Sequence, residues 1–147
     1  MQGVVGYSPG VFDLFHVGHL DLLRRAAAGC DRLVAGVLTD ELAAELHGVR
    51  PAVPLIERME IVANVRQVAD VVPLGEAGLH RAWRSLAFDR LFTGAPDGFA
   101  AGDAERALAG TGVRVVRFDG LAETGSPVLR GALRGARHGS GPRTSVA

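Results

Sequence analysis

Two rhythms of apolar spacing alternate along this chain. Short apolar runs at Val4–Tyr7, Arg32–Leu38, Val71–Pro73, Arg90–Thr93 and Val113–Phe118 have the length and composition of strands. Between them, stretches near Val17–Ala28, Asp40–His47, Leu55–Val68, Leu79–Leu86 and Asp103–Leu108 carry apolar residues at helical spacing. Ser8-Pro9-Gly10 is expected to break the first strand before the first helix. Strands and helices in alternation imply a parallel sheet covered on both faces, and right-handed crossovers make it doubly wound. The expected fold is therefore α/β: a Rossmann-like domain on a five-stranded parallel sheet, with its ligand at the carboxyl ends of the strands. One domain is expected over residues 1–137, followed by a flexible tail over 138–147 that includes Gly-Ser-Gly-Pro.

Composition narrows the chemistry. With 147 residues, 48% hydrophobic and 22% charged, the chain has material for one ordinary core. The formal net charge of zero argues against a nucleic-acid surface. All 16 basic residues are arginine, and without lysine neither a Schiff base nor a Walker-type P-loop can be built. Cys30 stands alone, which excludes a disulfide framework and a cysteine-based zinc cluster, and reads as a small packing residue in a helix-to-strand turn. No leader and no apolar run near twenty residues is visible, so a soluble, cytoplasmic protein without membrane insertion is expected.

The most informative run is Gly10-Val-Phe-Asp-Leu-Phe-His-Val-Gly-His-Leu, which sets His16 and His19 on the first turn of the first helix. Three residues apart, they share a face, and the unpaired amides and positive dipole end of the helix add to whatever charge the imidazoles carry. Such a site suits a polyphosphate. Asp13 is placed either to cap this helix or to shape a neighbouring subsite. Ser126-Pro127 makes a good helix start, an N-cap followed by proline. His80, Trp83 and His138 have no motif around them and read as surface or packing residues.

The run through His16-Val-Gly-His19 resembles the first motif of the nucleotidyltransferase superfamily, and the chain resembles its cytidylyltransferase branch, the glycerol-3-phosphate cytidylyltransferases in particular. Leu33-Val-Ala-Gly-Val-Leu-Thr-Asp-Glu-Leu42, Pro54-Leu-Ile-Glu-Arg-Met-Glu-Ile-Val62 and Val65-Arg-Gln-Val-Ala-Asp-Val-Val-Pro73 are similar to later segments of that family. The resemblance is dense from about Val4 to Pro73 and thin beyond. It implies attack of an acceptor phosphate oxygen on the α-phosphorus of CTP, with pyrophosphate leaving. A phosphate monoester is already a nucleophile, so the protein must hold two anions together and stabilise developing charge. On this resemblance His16, His19, Arg58, Arg66 and His47 are the catalytic candidates. Arg58 and Arg66, eight apart on one predicted helix, would share a face beside the phosphates. Ser8, Gly10, Val11, Phe12, Gly18, Gly94, Ser126 and Arg130 are the nucleotide-binding candidates, with Gly10 and Gly18 letting backbone approach the nucleotide. Asp13, Thr39, Asp40 and Arg50 are the acceptor-binding candidates. Mg²⁺ would arrive with the nucleoside triphosphate, with no metal site built from protein ligands, and a homodimer is expected.

Departures from the family pattern fall at three places. His47 stands where relatives carry a lysine, and Arg50 is the alternative for that contact. Gly94-Ala-Pro-Asp97 replaces a Gly-Asp-Asp-Trp segment, and Gly125-Ser-Pro-Val-Leu-Arg130 replaces a Ser/Thr-rich signature. The expectation is thus CMP transfer from CTP to a small phosphorylated alcohol such as glycerol 3-phosphate. The alternatives are an adenylyltransferase of the same fold, using ATP, and a nucleotide-binding paralogue with weak or no turnover.

Overall fold

The computed structural model describes residues 3–94 and 98–138. Five strands, β1 (Val5–Gly10), β2 (Arg32–Leu38), β3 (Asp70–Leu74), β4 (Arg90–Thr93) and β5 (Arg114–Arg117), pair in parallel in the order β3-β2-β1-β4-β5. Around them lie α1 (Val17–Ala28), α2 (Asp40–His47), α3 (Leu55–Ala63), α4 (Gly78–Leu86), α5 (Ala101–Ala107) and α6 (Pro127–His138). The expected doubly wound α/β fold is the one found. From β1 the chain moves outward to β3 and then returns across the sheet to β4. The switch between β1 and β4 parts the loops at their carboxyl ends, which is where open α/β sheets form their ligand crevice.

Both sheet faces are covered, so β2 is apolar almost throughout instead of alternating. On one face Tyr7, Val34, Leu38 and Leu91 pack with Leu79, Phe88, Ala104 and Leu108. On the other, Leu33, Ala35, Val37 and Phe92 pack with Phe12, Leu23, Ala26 and Val62. Tyr7 stacks on Phe88 with ring centroids 4.6 Å apart and turns its hydroxyl toward Gly36. Burial pushes that hydroxyl's pKa above its ordinary value, and neither it nor the Ser8 hydroxyl has a hydrogen-bond partner among the described residues.

Two expectations change. The first strand continues through Ser8-Pro9-Gly10 to pair with Ala35, Gly36 and Val37. Proline fits extended backbone, and the β1–β4 register is confined to Gly6 and Tyr7, so the absent Pro9 amide falls beyond it. The third helix stops at Ala63, five residues before the expected end, where the Asn64 amide turns back to the Ile61 and Val62 carbonyls. The helix start expected at Ser126-Pro127 is found as well: α6 runs to His138, and residues 139–147 lie outside the described region. Among the described residues no helix is long and apolar enough to cross a membrane.

Candidate active site at the carboxyl edge of the sheet

After Gly10 the chain leaves β1 through a turn in which Phe12 (φ 55°) and Leu14 (φ 48°) both adopt left-handed backbone. Phe12 is held there by burial in the core beneath α1. The turn delivers His16 as the N-cap of α1. Its Nδ1 accepts the Gly18 amide at 3.0 Å, and the His16 amide donates to His19 Nδ1 at 3.2 Å. The two imidazoles thus form a reciprocal capping box, a role usually filled by a hydroxyl and a carboxylate. Each neutral ring that accepts at Nδ1 carries its proton on Nε2. The ring centroids are 4.1 Å apart, and His19 is buried against Phe12 and Phe15 at 5.6 and 5.3 Å. The structure therefore brings the two histidines together as a fixed pair of nitrogen donors.

A second helix start is drawn to the same place. Asp21 accepts the Ala122 amide at 2.9 Å, and Arg25 donates to the Asp119 and Gly120 carbonyls at 2.9 and 3.1 Å. The Ala122 amide, and secondarily Arg25, hold the Asp21 carboxyl below its ordinary pKa despite the opposing desolvation. A Cβ on Gly18 would lie 2.8 Å from the Ala122 carbonyl oxygen and 2.7 Å from the His16 ring. Gly18 is therefore a packing joint between α1 and the loop before α6, a constraint on this position that the sequence did not show. Ser126 caps α6, accepting the Leu129 amide at 3.2 Å, and Arg130 Nε donates to the Thr124 carbonyl at 2.5 Å. Asp21 and Arg25 were missed from the sequence. Their four-residue spacing marked an ion pair, but not its grip on a loop a hundred residues away.

Several expected ligands of phosphate or acceptor turn out to hold the scaffold. Arg58 is 1% exposed: Nε donates to the Val53 carbonyl, one terminal nitrogen to the Val11 and Leu38 carbonyls (all 2.8 Å), and the other to Asp40 at 2.5 Å. With its donors committed inside the protein it braces β1, β2 and α3, which corrects its placement beside the phosphates. Arg66 is corrected too. It lies in the exposed turn before β3, at the amino edge of the sheet, whereas the histidines follow the carboxyl end of β1. Asp13 does not cap α1; it accepts the Ala52 and Val53 amides at 2.8 and 2.9 Å and pins the segment entering α3. Thr39 caps α2 through the Leu42 amide at 3.1 Å. Asp40 faces Arg58, and Arg50 is an exposed arginine 3.7 Å from both Asp40 and Glu41. Ser8 lies fully buried inside β1, Val11 and Phe12 are core side chains, and a Cβ on Gly10 would press on the Phe12 ring at 3.1 Å. None of these four presents a side chain to the edge, so a nucleotide contact at any of them would have to be made by backbone.

Beyond β4 the edge is different. Gly94 (φ 156°) passes so near the Phe118 carbonyl that a Cβ would sit 2.6 Å from its oxygen. Asp97, considered with Gly94 from the sequence, lies outside the described residues. His47 ends α2, and its Nε2 is buried without a hydrogen-bond partner among the described residues. It lines a cavity of about 710 Å³ over the ends of β4 and β5. A smaller cavity of about 390 Å³, between α3 and β3 and lined by Ile56, Met59 and Val71, is remote from the histidines.

Comparison with known proteins agrees with this geometry. Residues 7–108 match the family described as cytidylyltransferase-like, a span that holds the histidine pair and the switch between β1 and β4. The chain belongs to the cytidylyltransferase-like family. By that membership it is a nucleotidyltransferase. It is 38% identical over 128 residues to the bifunctional protein HldE of Gluconacetobacter diazotrophicus, covering 84% of this chain and 26% of that one. To HldE of Halorhodospira halophila it is 38% identical over 130 residues, covering 86% and 27%. The chain thus spans about a quarter of the length of these relatives. In fold it resembles the lipopolysaccharide core biosynthesis protein of Thermoplasma volcanium, with a TM-score of 0.72 at 21% identity over 82% of this chain and 99% of that one.

Proposed function

We propose that this chain transfers an adenylyl group from ATP to the phosphate of a small sugar or polyol phosphate. An oxygen of the acceptor phosphate bonds to the α-phosphorus, the bond from that phosphorus to the β-bridging oxygen breaks, and pyrophosphate departs. The observation that carries this reading is the reciprocal cap of His16 and His19 at the first turn of α1, beside the sheet's switch point. Two Nε2–H donors and the positive dipole end of the helix favour charge building on phosphoryl oxygens, and being fixed beforehand they need little reorganisation. The start of α6, tied to α1 through Ala122, supports a second phosphate contact in which Ser126 and Arg130 face the leaving group.

ATP is preferred over CTP because the HldE relatives match across most of this chain, while Gly94-Ala-Pro-Asp97 departs from the Gly-Asp-Asp-Trp segment of the cytidylyltransferases it otherwise resembles. Mg²⁺ enters this reading as the triphosphate's companion. Asp13 and Asp21, on the turn and the helix that carry the histidines, are taken up by backbone amides, and among the described residues no group of three or more potential ligands gathers, so these residues fit a metal held chiefly by phosphate oxygens. Partners in this reading are the nucleotide and the acceptor, and a homodimer stays an expectation for light scattering to check.

Pyrophosphate release from ATP and from CTP, each offered with hexose 1-phosphates and with glycerol 3-phosphate, tests the proposal. Release from ATP with a sugar phosphate is the expected result. Release from CTP with glycerol 3-phosphate would return the reading to cytidylyl transfer, and nucleotide binding without release under any acceptor would point to a domain that no longer turns over.

A further inference from the structure

Past β5 the chain leaves the core. Phe118 still stacks on Phe92, with ring centroids 5.7 Å apart, but among the described residues no side chain from 119–133 joins either core cluster. The segment is tied within itself instead. The Ser126 amide donates to Thr124 Oγ1 at 3.2 Å, Ser126 Oγ accepts the Leu129 amide, and Arg130 Nε donates to the Thr124 carbonyl. These bonds make the start of α6 one unit, but they leave its place over the sheet undetermined, and burial in the core does not fix it either.

Its place is set from α1. Gly18, Asp21 and Arg25 follow one another at helical spacing and line one stripe of that helix, while His19, Leu22, Leu23 and Ala26 turn inward. Each member of the stripe meets the backbone of 119–122. Gly18 leaves room for the Ala122 carbonyl oxygen, which would lie 2.8 Å from a Cβ there. Asp21 accepts the Ala122 amide at 2.9 Å, and Arg25 donates to the Asp119 and Gly120 carbonyls at 2.9 and 3.1 Å. Arg25 Nε also donates to Asp21 at 3.1 Å, so the acid and the base hold each other in place. Because every partner in the loop is backbone, the stripe fixes the path of the loop whatever side chains the loop carries. Being oppositely charged and in contact, Asp21 and Arg25 also cancel, and so they set geometry near a polyphosphate without adding to its attraction or opposing it.

A misplacement of about 1 Å at a reacting centre costs on the order of 10² in rate, so the distance between the two helix starts has to be held by something. We infer that Asp21 and Arg25 are positioning residues for the triphosphate: bound to no ligand themselves, they hold the start of α6, with Ser126 and Arg130, in register with His16 and His19. The inference rests on the transfer reading, in which the start of α6 faces the leaving group. It makes both phosphate contacts the work of one helix, whose first turn carries the imidazoles and whose next two turns carry the brace for α6.

Calorimetric titration of the intact chain with Mg·ATP and with AMP, which lacks the β- and γ-phosphates, tests this in Arg25→Ala, Arg25→Lys, Arg130→Ala and the Arg25→Ala/Arg130→Ala double variant. Arg25→Ala is expected to weaken Mg·ATP by about tenfold, the scale of a lost charge-assisted hydrogen bond, and AMP by less than about twofold. Arg25→Lys should recover part of the loss, because an ammonium keeps the charge but cannot span both carbonyls and the carboxylate as the guanidinium fork does. In the Arg130→Ala background the further change Arg25→Ala should cost less than about twofold, since a residue acting through α6 has nothing left to position. Equal weakening of ATP and AMP, or the full cost persisting in the Arg130→Ala background, would make Arg25 a general stability residue and overturn the inference while the transfer reading stands. So would unchanged ATP affinity in Arg25→Ala when Arg130→Ala loses it. Unchanged ATP affinity in Arg130→Ala would instead remove the α6 contact from the transfer reading, and this inference with it. Should the alanine variant not fold, Arg25→Lys carries the same contrast between ATP and AMP at smaller size.

Discussion

The two halves of the sheet's carboxyl edge treat polar side chains in opposite ways. Over β1 and β2, His16, His19, Asp13, Asp21, Thr39 and Arg58 are each tied to backbone, the first two and Thr39 locally and Asp13, Asp21 and Arg58 across long stretches of sequence. Over β4 and β5, Thr93 is tied to the Phe99 carbonyl, but among the described residues His47 Nε2 has no partner and Arg117 meets a solvated aspartate. Groups tied down in advance are prepared to meet charge that develops during a reaction. Groups left open suit a ligand that must come, be read and leave. The contrast gives one edge two tasks, and it can be broken or sharpened at named residues.

The largest effect is expected at Arg58. Arg58→Ala leaves the Asp40 carboxylate without its buried partner and strands the Val11 and Leu38 carbonyls, which should cost about 3–5 kcal/mol in urea unfolding. Loss of activity with unchanged stability would instead return Arg58 to the phosphates. Next comes the histidine pair. His16→Ala or His19→Ala should lower kcat by on the order of 10²–10³, equivalent to about 3–4 kcal/mol, as loss of a preorganised donor does. Wild-type turnover in both variants would dissolve the distinction between the two halves. Asp21 is smaller. Its carboxyl has a lowered pKa in the folded state, so it contributes stability that is present above pH 3.8 and is lost as pH falls through the folded value. Asp21→Asn should cost about 1 kcal/mol near neutral pH and flatten the acid limb of the denaturation midpoint against pH. The smallest effect is expected inside β1: Tyr7→Phe removes a buried hydroxyl with no partner among the described residues and should leave stability unchanged or raise it by up to about 1 kcal/mol. A clear loss of stability there would mean that the hydroxyl is satisfied after all.

What the sequence made legible follows from how local each signal was. Alternating strand and helix patterns, the cap at Ser126 and the shared turn of His16 and His19 all depend on residues within a few positions of one another, and the structure has them. Pro9 misled because its ring was read as a strand breaker, although its φ fits extended backbone and the register with β4 stops short of it. Arg58 and Arg66 were joined by a helix period that ran on past Ala63. Nothing apolar in 64–68 distinguished a continuing helix from a series of turns, and the two arginines sit at opposite edges of the sheet. The brace at Arg58 and the tether at Asp13 were hidden for another reason. Their partners are backbone groups 5 to 47 residues away, and backbone groups have no sequence signature.

Because His16 and His19 each spend the Nδ1 lone pair on an amide of their own helix, a neutral ring at either position has no basic nitrogen left to offer a substrate. In that tautomer the pair gives hydrogen bonds to a substrate and does not serve as a general base. An acceptor phosphate must therefore reach the site already in its ionised form. The rate at subsaturating acceptor should then follow the acceptor's own second ionisation, shifting along the pH axis when a more acidic fluorinated phosphonate replaces the phosphate, with the protein unchanged.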